Sequence, residues 1–308
     1  MIVIAQHAPE EAVPVAPSAA AAAVGDAVLA ASGVEQVLCF AAGLDYAGRR
    51  RLALADLAEA WRLWRLVRAL AWLDIKARYR GSVLGPFWLT LSTAVMVFAL
   101  GILYSTLFRM DLHTYLPFLG LSLVLWNLLQ SLVTDGCIGF TVEEATIRSV
   151  RMPFSLYAAR IVLRNLIVFA HNIAVVVVVF AVFGIWPGLG LLAAVPALAL
   201  WLIDAFALTL TLGAICARFR DIPPIVASVM QIAFFVSPII WKPELMRDQA
   251  GWLPLNPFYA LFEIVRGPLL GTGASALLWG AAVAYSVLLL TISWRLFVRV
   301  RGRLAFWV

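Results

Sequence analysis

Three ionisable residues, Arg164, His171 and Asp204, stand within or beside the uncharged apolar stretches of this 308-residue chain. A charged or polar group in such a setting is costly unless paired, so an intramembrane carboxylate such as Asp204 is a functional candidate by default and a structural, helix-bonded group otherwise. Catalysis needs several polar groups converging on one point, and these three are too scattered to supply it. Cys39, Cys137 and Cys216 lack the close spacing of a metal site, as do His7, His113 and His171. The only lysines, Lys76 and Lys242, follow Ile and Trp, so no glycine-rich phosphate-binding loop forms around them. If this chain moves or converts anything at the expense of a nucleotide, the nucleotide is held elsewhere.

The elements that carry these residues are read from composition. With 64% hydrophobic and 13% charged residues, the chain is too apolar for a soluble domain. Its net charge of +6 sits beside apolar runs, which favours anionic membrane lipids over nucleic acid. The expected fold is an all-α integral membrane protein with six transmembrane helices. The spans fall at about 86–108, 114–134, 161–183, 189–217, 223–241 and 274–294. Runs of this kind are long enough to cross a hydrocarbon core of roughly 30 Å. The uncharged stretch from Asn165 to Ile203 exceeds one span, and Gly184, Trp186, Pro187 and Gly188 divide it.

Nineteen of the 23 Lys and Arg residues fall on one side of this arrangement, which makes that side cytoplasmic and both termini with it. Between spans five and six, Leu253–Phe262 is too short to cross but long enough to form a re-entrant outer segment, broken by Pro254, Pro257 and Pro268.

Two polar regions are organised rather than merely connecting. From Asp56 to Leu73, Arg62, Arg65 and Arg68 recur every third residue, with Trp61, Trp64, Val67 and Ala71 on an adjacent face, which reads as an amphipathic helix in the headgroup layer. In the loop from Gly136 to Arg160, Thr141 and Glu144 have capping-box spacing and predict a helix from about Val142 to Arg151, ending before Pro153. Glu143 and Glu144 at its start and Arg148 and Arg151 at its end complement the helix dipole. Residues 1–50 are rich in Ala, Val and Pro. Glu10, Glu11 and Asp26 interrupt the Ala-rich run, and no basic residue precedes it, so the region reads as a poorly ordered cytoplasmic extension ahead of a membrane domain over 51–308.

Asp-Ile-Lys-Ala-Arg-Tyr-Arg-Gly-Ser at Asp74–Ser82, with Leu-Gly-Pro-Phe-Trp at Leu84–Trp88, resembles the start of the first span in ABC-2 type permeases that export polysaccharides. Arg218-Phe-Arg-Asp-Ile222, Ser237-Pro-Ile-Ile-Trp241, and Leu255-Asn-Pro257 with Arg266 resemble later parts of that family, in the same order. The resemblance implies a homodimeric permease in the cell inner membrane that binds two copies of a separate ABC ATPase. By the same resemblance ATP and Mg would belong to that partner, with no cofactor on this chain, and the cargo would be a polyprenyl-diphosphate-linked polysaccharide of O-antigen or capsule type.

The family assigns ATPase coupling to the loop helix with Glu143, Glu144, Arg148 and Arg151, and Arg218, Arg220 and Asp221 are candidate second contacts. Arg62, Arg65, Arg68, Lys76, Arg78 and Arg80 would meet the diphosphate or lipid headgroups at the entrance. Tyr79, Phe87, Trp88, Tyr104 and Trp126 would offer aromatic faces to the glycan, although interfacial belts and packing use the same residues. The alternatives are an exporter of teichoic acid, drug or another lipid-linked substrate, a membrane-embedded glycosyl or acyl transferase, and a scaffold subunit with no path.

Overall fold

The computed structural model describes residues 45–81 and 87–308, and only the backbone of 247–250. The extension expected over residues 1–50 lies, apart from Asp45–Arg50, outside the described residues. So does residue 86, where the first span was expected to begin.

All regular structure among the described residues is helical. Helices α1 (Tyr46–Arg62) and α2 (Trp64–Arg78) precede α3 (Phe87–Phe108) and α4 (Leu112–Ile138). The short α5 (Glu144–Ser149) leads into α6 (Phe154–Val182), α7 (Gly190–Arg218) and α8 (Ile222–Val236). A 3-10 segment (Pro243–Leu255), α9 (Pro257–Leu269) and α10 (Ala276–Trp307) complete the fold. Among the described residues, five helices, α3, α4, α6, α7 and α10, are long and apolar enough to cross a membrane. Helix α8, with 15 residues, spans about 22 Å at 1.5 Å per residue, less than the roughly 30 Å of a hydrocarbon core.

Helix α4 is the centre of the bundle. It packs against α3, α6, α7 and α8, and its side chains are buried around nearly its whole circumference, as expected of a helix apolar on every face. Gly136 permits a close approach to α7: a Cβ there would lie 3.2 Å from Thr209 Cα. Small residues at such contacts let helices pack in lipid, where no hydrophobic force drives them together. Gly190 does the same for the start of α7, since its Cβ would overlap the Pro268 carbonyl oxygen of α9.

Several boundaries differ from the sequence expectation for physical reasons. Helix α6 begins at Phe154 rather than near 161, because Arg160 and Arg164 are paired inside the fold instead of marking exposure to water. Helix α8 ends at Val236 rather than 241, since Ser237 before Pro238 adopts extended backbone (ψ 148°). Helix α10 runs past 294 to Trp307, where Phe297, Val298, Val300 and Leu304 are buried against a cluster containing Ala53, Tyr157 and Ala217. The helix expected over Asp56–Leu73 is two helices that meet at Leu63.

That last cluster joins α1, the start of α6, the end of α7 and the end of α10 at one end of the bundle, called basal below. The Gly184–Gly188 turn, the Arg109 turn and the 3-10 segment lie on the connections made at the other end.

Candidate functional site: a braced basal helix and its surroundings

The basal end is built on carboxylates that cross between helices. Asp56 of α1 is fully buried and accepts from the backbone N–H groups of Phe154 (3.2 Å) and Ser155 (3.0 Å) at the open start of α6. Those amides have no partner within their own helix, so a side chain distant in sequence caps it. Arg301 of α10 donates Nε to the same carboxylate at 2.8 Å, which ties three helices to one group.

A second network lies alongside. Arg160 of α6 grips Asp74 of α2 with two guanidinium nitrogens, at 2.8 and 2.5 Å, the fork geometry that makes arginine–carboxylate pairs strong. Its third nitrogen reaches Glu143 at 2.9 Å. One turn along, Arg164 meets Asp135 of α4 at 2.8 Å, and Asn165 donates to the same oxygen at 2.9 Å. A cavity of about 60 Å³ remains between these groups, bordered by Tyr157, whose hydroxyl has no protein partner. That is room for a water or two.

Helix α5 projects from this scaffold with no buried residue. Glu144 and Arg148 pair across one turn at 2.9 Å with side chains 45% and 60% exposed, and Arg148 also donates to the Val308 carbonyl at 2.6 Å. The capping box is absent. Helix α4 continues to Ile138, and the Thr141 hydroxyl donates to the Ile138 carbonyl at 3.0 Å, so it does not serve Glu144. The helix is correspondingly shorter than 142–151. Glu143 is a bracing group held by Arg160, whereas Glu144, Arg148 and Arg151 are open to solvent. Arg218, Arg220 and Asp221 are exposed at the α7–α8 turn, with Arg218 5.8 Å above the Phe219 ring.

The cations expected at an entrance, Arg62, Arg65, Arg68, Lys76, Arg78 and Arg80, are all exposed along α1, α2 and the turn that follows. Trp61, Trp64 and Trp72 are exposed with them, and Lys76 lies 5.9 Å from the Trp72 ring. Val67 and Ala71 lie on the opposite, buried side of α2, not with Trp61 and Trp64, because they pack toward α6. The aromatics expected along a glycan path do not gather. Phe87 and Trp88 are exposed at the start of α3, Tyr79 is half-buried in the α2 turn, and Tyr104 stacks on Phe108 at 5.5 Å. Trp126 is 2% exposed within a core of Phe234, Phe258 and Phe262.

The three intramembrane candidates also stand apart. Arg164 belongs to the basal network, His171 Nδ1 bonds the Ile167 carbonyl, and Asp204 accepts from Ser286 of α10 at 2.6 Å. Sequence reasoning missed the fully buried Arg266 as a structural centre. Arg266 donates to Glu263, to Ser122 Oγ of α4 and to the Pro238 carbonyl, and it stacks 4.3 Å over Phe118. An arginine in an apolar, proline-bounded segment is itself a signal of such pairing.

The polar groups of this bundle brace one exposed helix at its basal end. The chain belongs to the ABC-2 type transporter family, whose model matches residues 65–270, and it is therefore a transporter membrane subunit rather than an enzyme. Over 199 residues it is 26% identical to the O-antigen export system permease protein RfbA of Myxococcus xanthus, covering 64% of this chain and 76% of that protein. Over 190 residues it is 23% identical to a protein of the same name from Klebsiella pneumoniae, covering 61% and 73%.

Proposed function

We propose that this chain is the permease of an exporter that carries a lipid-linked polysaccharide of O-antigen type across the inner membrane, driven by a separate ATPase. The names of its relatives and its family support this reading. Two copies of the chain form the path, and each engages one ATPase subunit, which holds ATP and Mg. The positive charge concentrated at the basal end makes that end cytoplasmic. Helix α8 and the turn that follows it supply a sixth crossing, and the re-entrant stretch, Leu253–Phe262, is made by the end of the 3-10 segment and the start of α9.

The observation that carries the coupling role is the exposed Glu144–Arg148 helix on an ion-paired base. A protrusion can transmit a push only if its root does not yield. The Arg160 bridge between Glu143 and Asp74 stiffens that root. Arg218, Arg220 and Asp221 form a second contact beside it.

The test is co-expression with the candidate ATPase, followed by affinity purification through this chain. Recovery of an ATP-hydrolysing complex supports the reading. A permease that exports cargo with no such partner contradicts it.

A further inference from the structure

Helix α10 continues well past the stretch that fits a membrane. Residues 276–294 carry no charge and measure about 28 Å at 1.5 Å per residue, which fills a hydrocarbon core of roughly 30 Å. Residues 295–307 add about 20 Å in the same helix. The headgroup layer is only roughly 5–8 Å deep on each side, so most of this extension stands in water even where a helix is tilted.

The extension has two unlike faces. On one, Phe297, Val298, Val300 and Leu304 are buried in the basal cluster, and Arg301 is held by Asp56. The end of the helix is pinned as well, since Arg148 of α5 donates to the Val308 carbonyl at 2.6 Å. The other face carries Arg295, Arg299 and Arg303, whose four-residue spacing sets them in one row about 12 Å long. Phe306, 74% exposed, stands at the end of that row. All three arginines are exposed, and none has a hydrogen bond or an ion pair among the described residues.

Three occupants could cover a row of cations that ends in an aromatic ring. Anionic lipid reaches only its start: Arg295 lies at the headgroups, whereas Arg299 and Arg303 are about 6 and 12 Å farther along the helix. A second copy of this chain presents the same cations, and like charges brought together oppose contact. An acidic protein surface with a hollow for the Phe306 ring answers both the charge and the exposed ring. The Arg148–Val308 bond places the end of this row against α5, so the two surfaces are continuous.

We infer that Arg299, Arg303 and Phe306 at the end of α10 form a docking surface for an acidic patch on the ATPase, an assignment that rests on the export reading above. Arg295, at headgroup depth, lies outside this surface. The ATPase then grips two helices, α5 and α10, that are bonded to each other and to the same buried base.

The full chain in phosphatidylcholine nanodiscs is titrated with the ATPase subunit recovered by the co-purification above, at about 50 and about 300 mM salt. Arg299→Gln with Arg303→Gln should weaken binding about tenfold at the lower salt and flatten its salt dependence, because fewer screened pairs remain. Phe306→Ser should weaken binding and leave the salt dependence as it was. Arg295→Gln should bind as wild type does. Thermal unfolding of every variant should match wild type, since each substituted side chain is exposed. If the double variant binds normally while Glu144→Lys does not, the ATPase is held by α5 alone and this surface is refuted with the export reading intact. Refutation also follows if the double variant loses self-association, or retention on phosphatidylglycerol vesicles, in place of ATPase binding. A wild type that takes up no ATPase overturns the surface and the export reading together.

Discussion

The carboxylate of Asp56 caps the helix that begins at Phe154, at 3.2 Å from its N–H, although 98 residues separate them in sequence. Arg301 completes the contact from a third helix. Asp56→Ala would leave the start of α6 uncapped and Arg301 without its anion. Loss of a cap costs about 1 kcal/mol, and breaking a buried ion pair costs about 3–5 kcal/mol. Thermal unfolding in detergent should therefore show a large loss for Asp56→Ala and a smaller one for Asp56→Asn, which keeps an acceptor. Equal stability of the two variants would contradict the assignment.

Arg266 holds α9 against α4 and the end of α8 through Ser122 and the Pro238 carbonyl. Arg266→Met should destabilise the fold by about 3–5 kcal/mol, because Glu263 is left as an unpaired, largely buried charge. Arg266→Lys should rescue little, since an ammonium cannot reproduce the planar fork. The double variant Arg266→Met, Glu263→Met should be more stable than Arg266→Met alone. A double-mutant cycle with no coupling energy would rule out the pair as the organising contact.

Glu143 and Glu144 are neighbours with opposite expectations. Glu144→Lys breaks an exposed pair worth at most about 1 kcal/mol and should leave the unfolding temperature unchanged. It should nevertheless reduce ATPase association and export by tenfold or more. Glu143→Lys instead sets a cation against Arg160 and should lower thermal stability. Export and ATPase association that both survive Glu144→Lys would show that α5 does not couple.

How much of this was legible in sequence follows from the same residues. Uninterrupted apolar runs locate α3 and α7 to within a residue or two, because length and hydropathy decide them. The start of α6 was hidden, since Arg160 and Arg164 resemble a water-facing margin until Asp74 and Asp135 are seen beside them. The exposure of Glu144 and Arg148 was legible, but not the separate use of Glu143. Local spacing also suggested a Thr141 cap that the continuation of α4 removes. Trp126 reads as a path residue by depth alone, and only the fold reveals three phenylalanines around it.

One oxygen of Asp204 accepts from Ser286 across the α7–α10 contact, and the other, also buried, has no hydrogen-bond partner among the described residues. A carboxylate that only ties the two helices predicts the following. Asp204→Asn keeps an acceptor for the Ser286 hydroxyl and should export within twofold of wild type. Asp204→Leu should lower stability by leaving Ser286 unpaired in a buried site, and Ser286→Ala added to it should recover part of the loss. Export abolished by Asp204→Asn, with the fold intact, would instead mark this carboxylate as part of the transport mechanism.

The central claim is that α5 faces the cytoplasm and meets the ATPase. Arg148→Cys, in a background with Cys39, Cys137 and Cys216 replaced by alanine, tests it with a membrane-impermeant maleimide. The account predicts no labelling of intact spheroplasts, full labelling of inside-out vesicles, and protection of those vesicles once the ATPase subunit is bound. Labelling from the outer face, or inside labelling that the bound ATPase does not reduce, would contradict it.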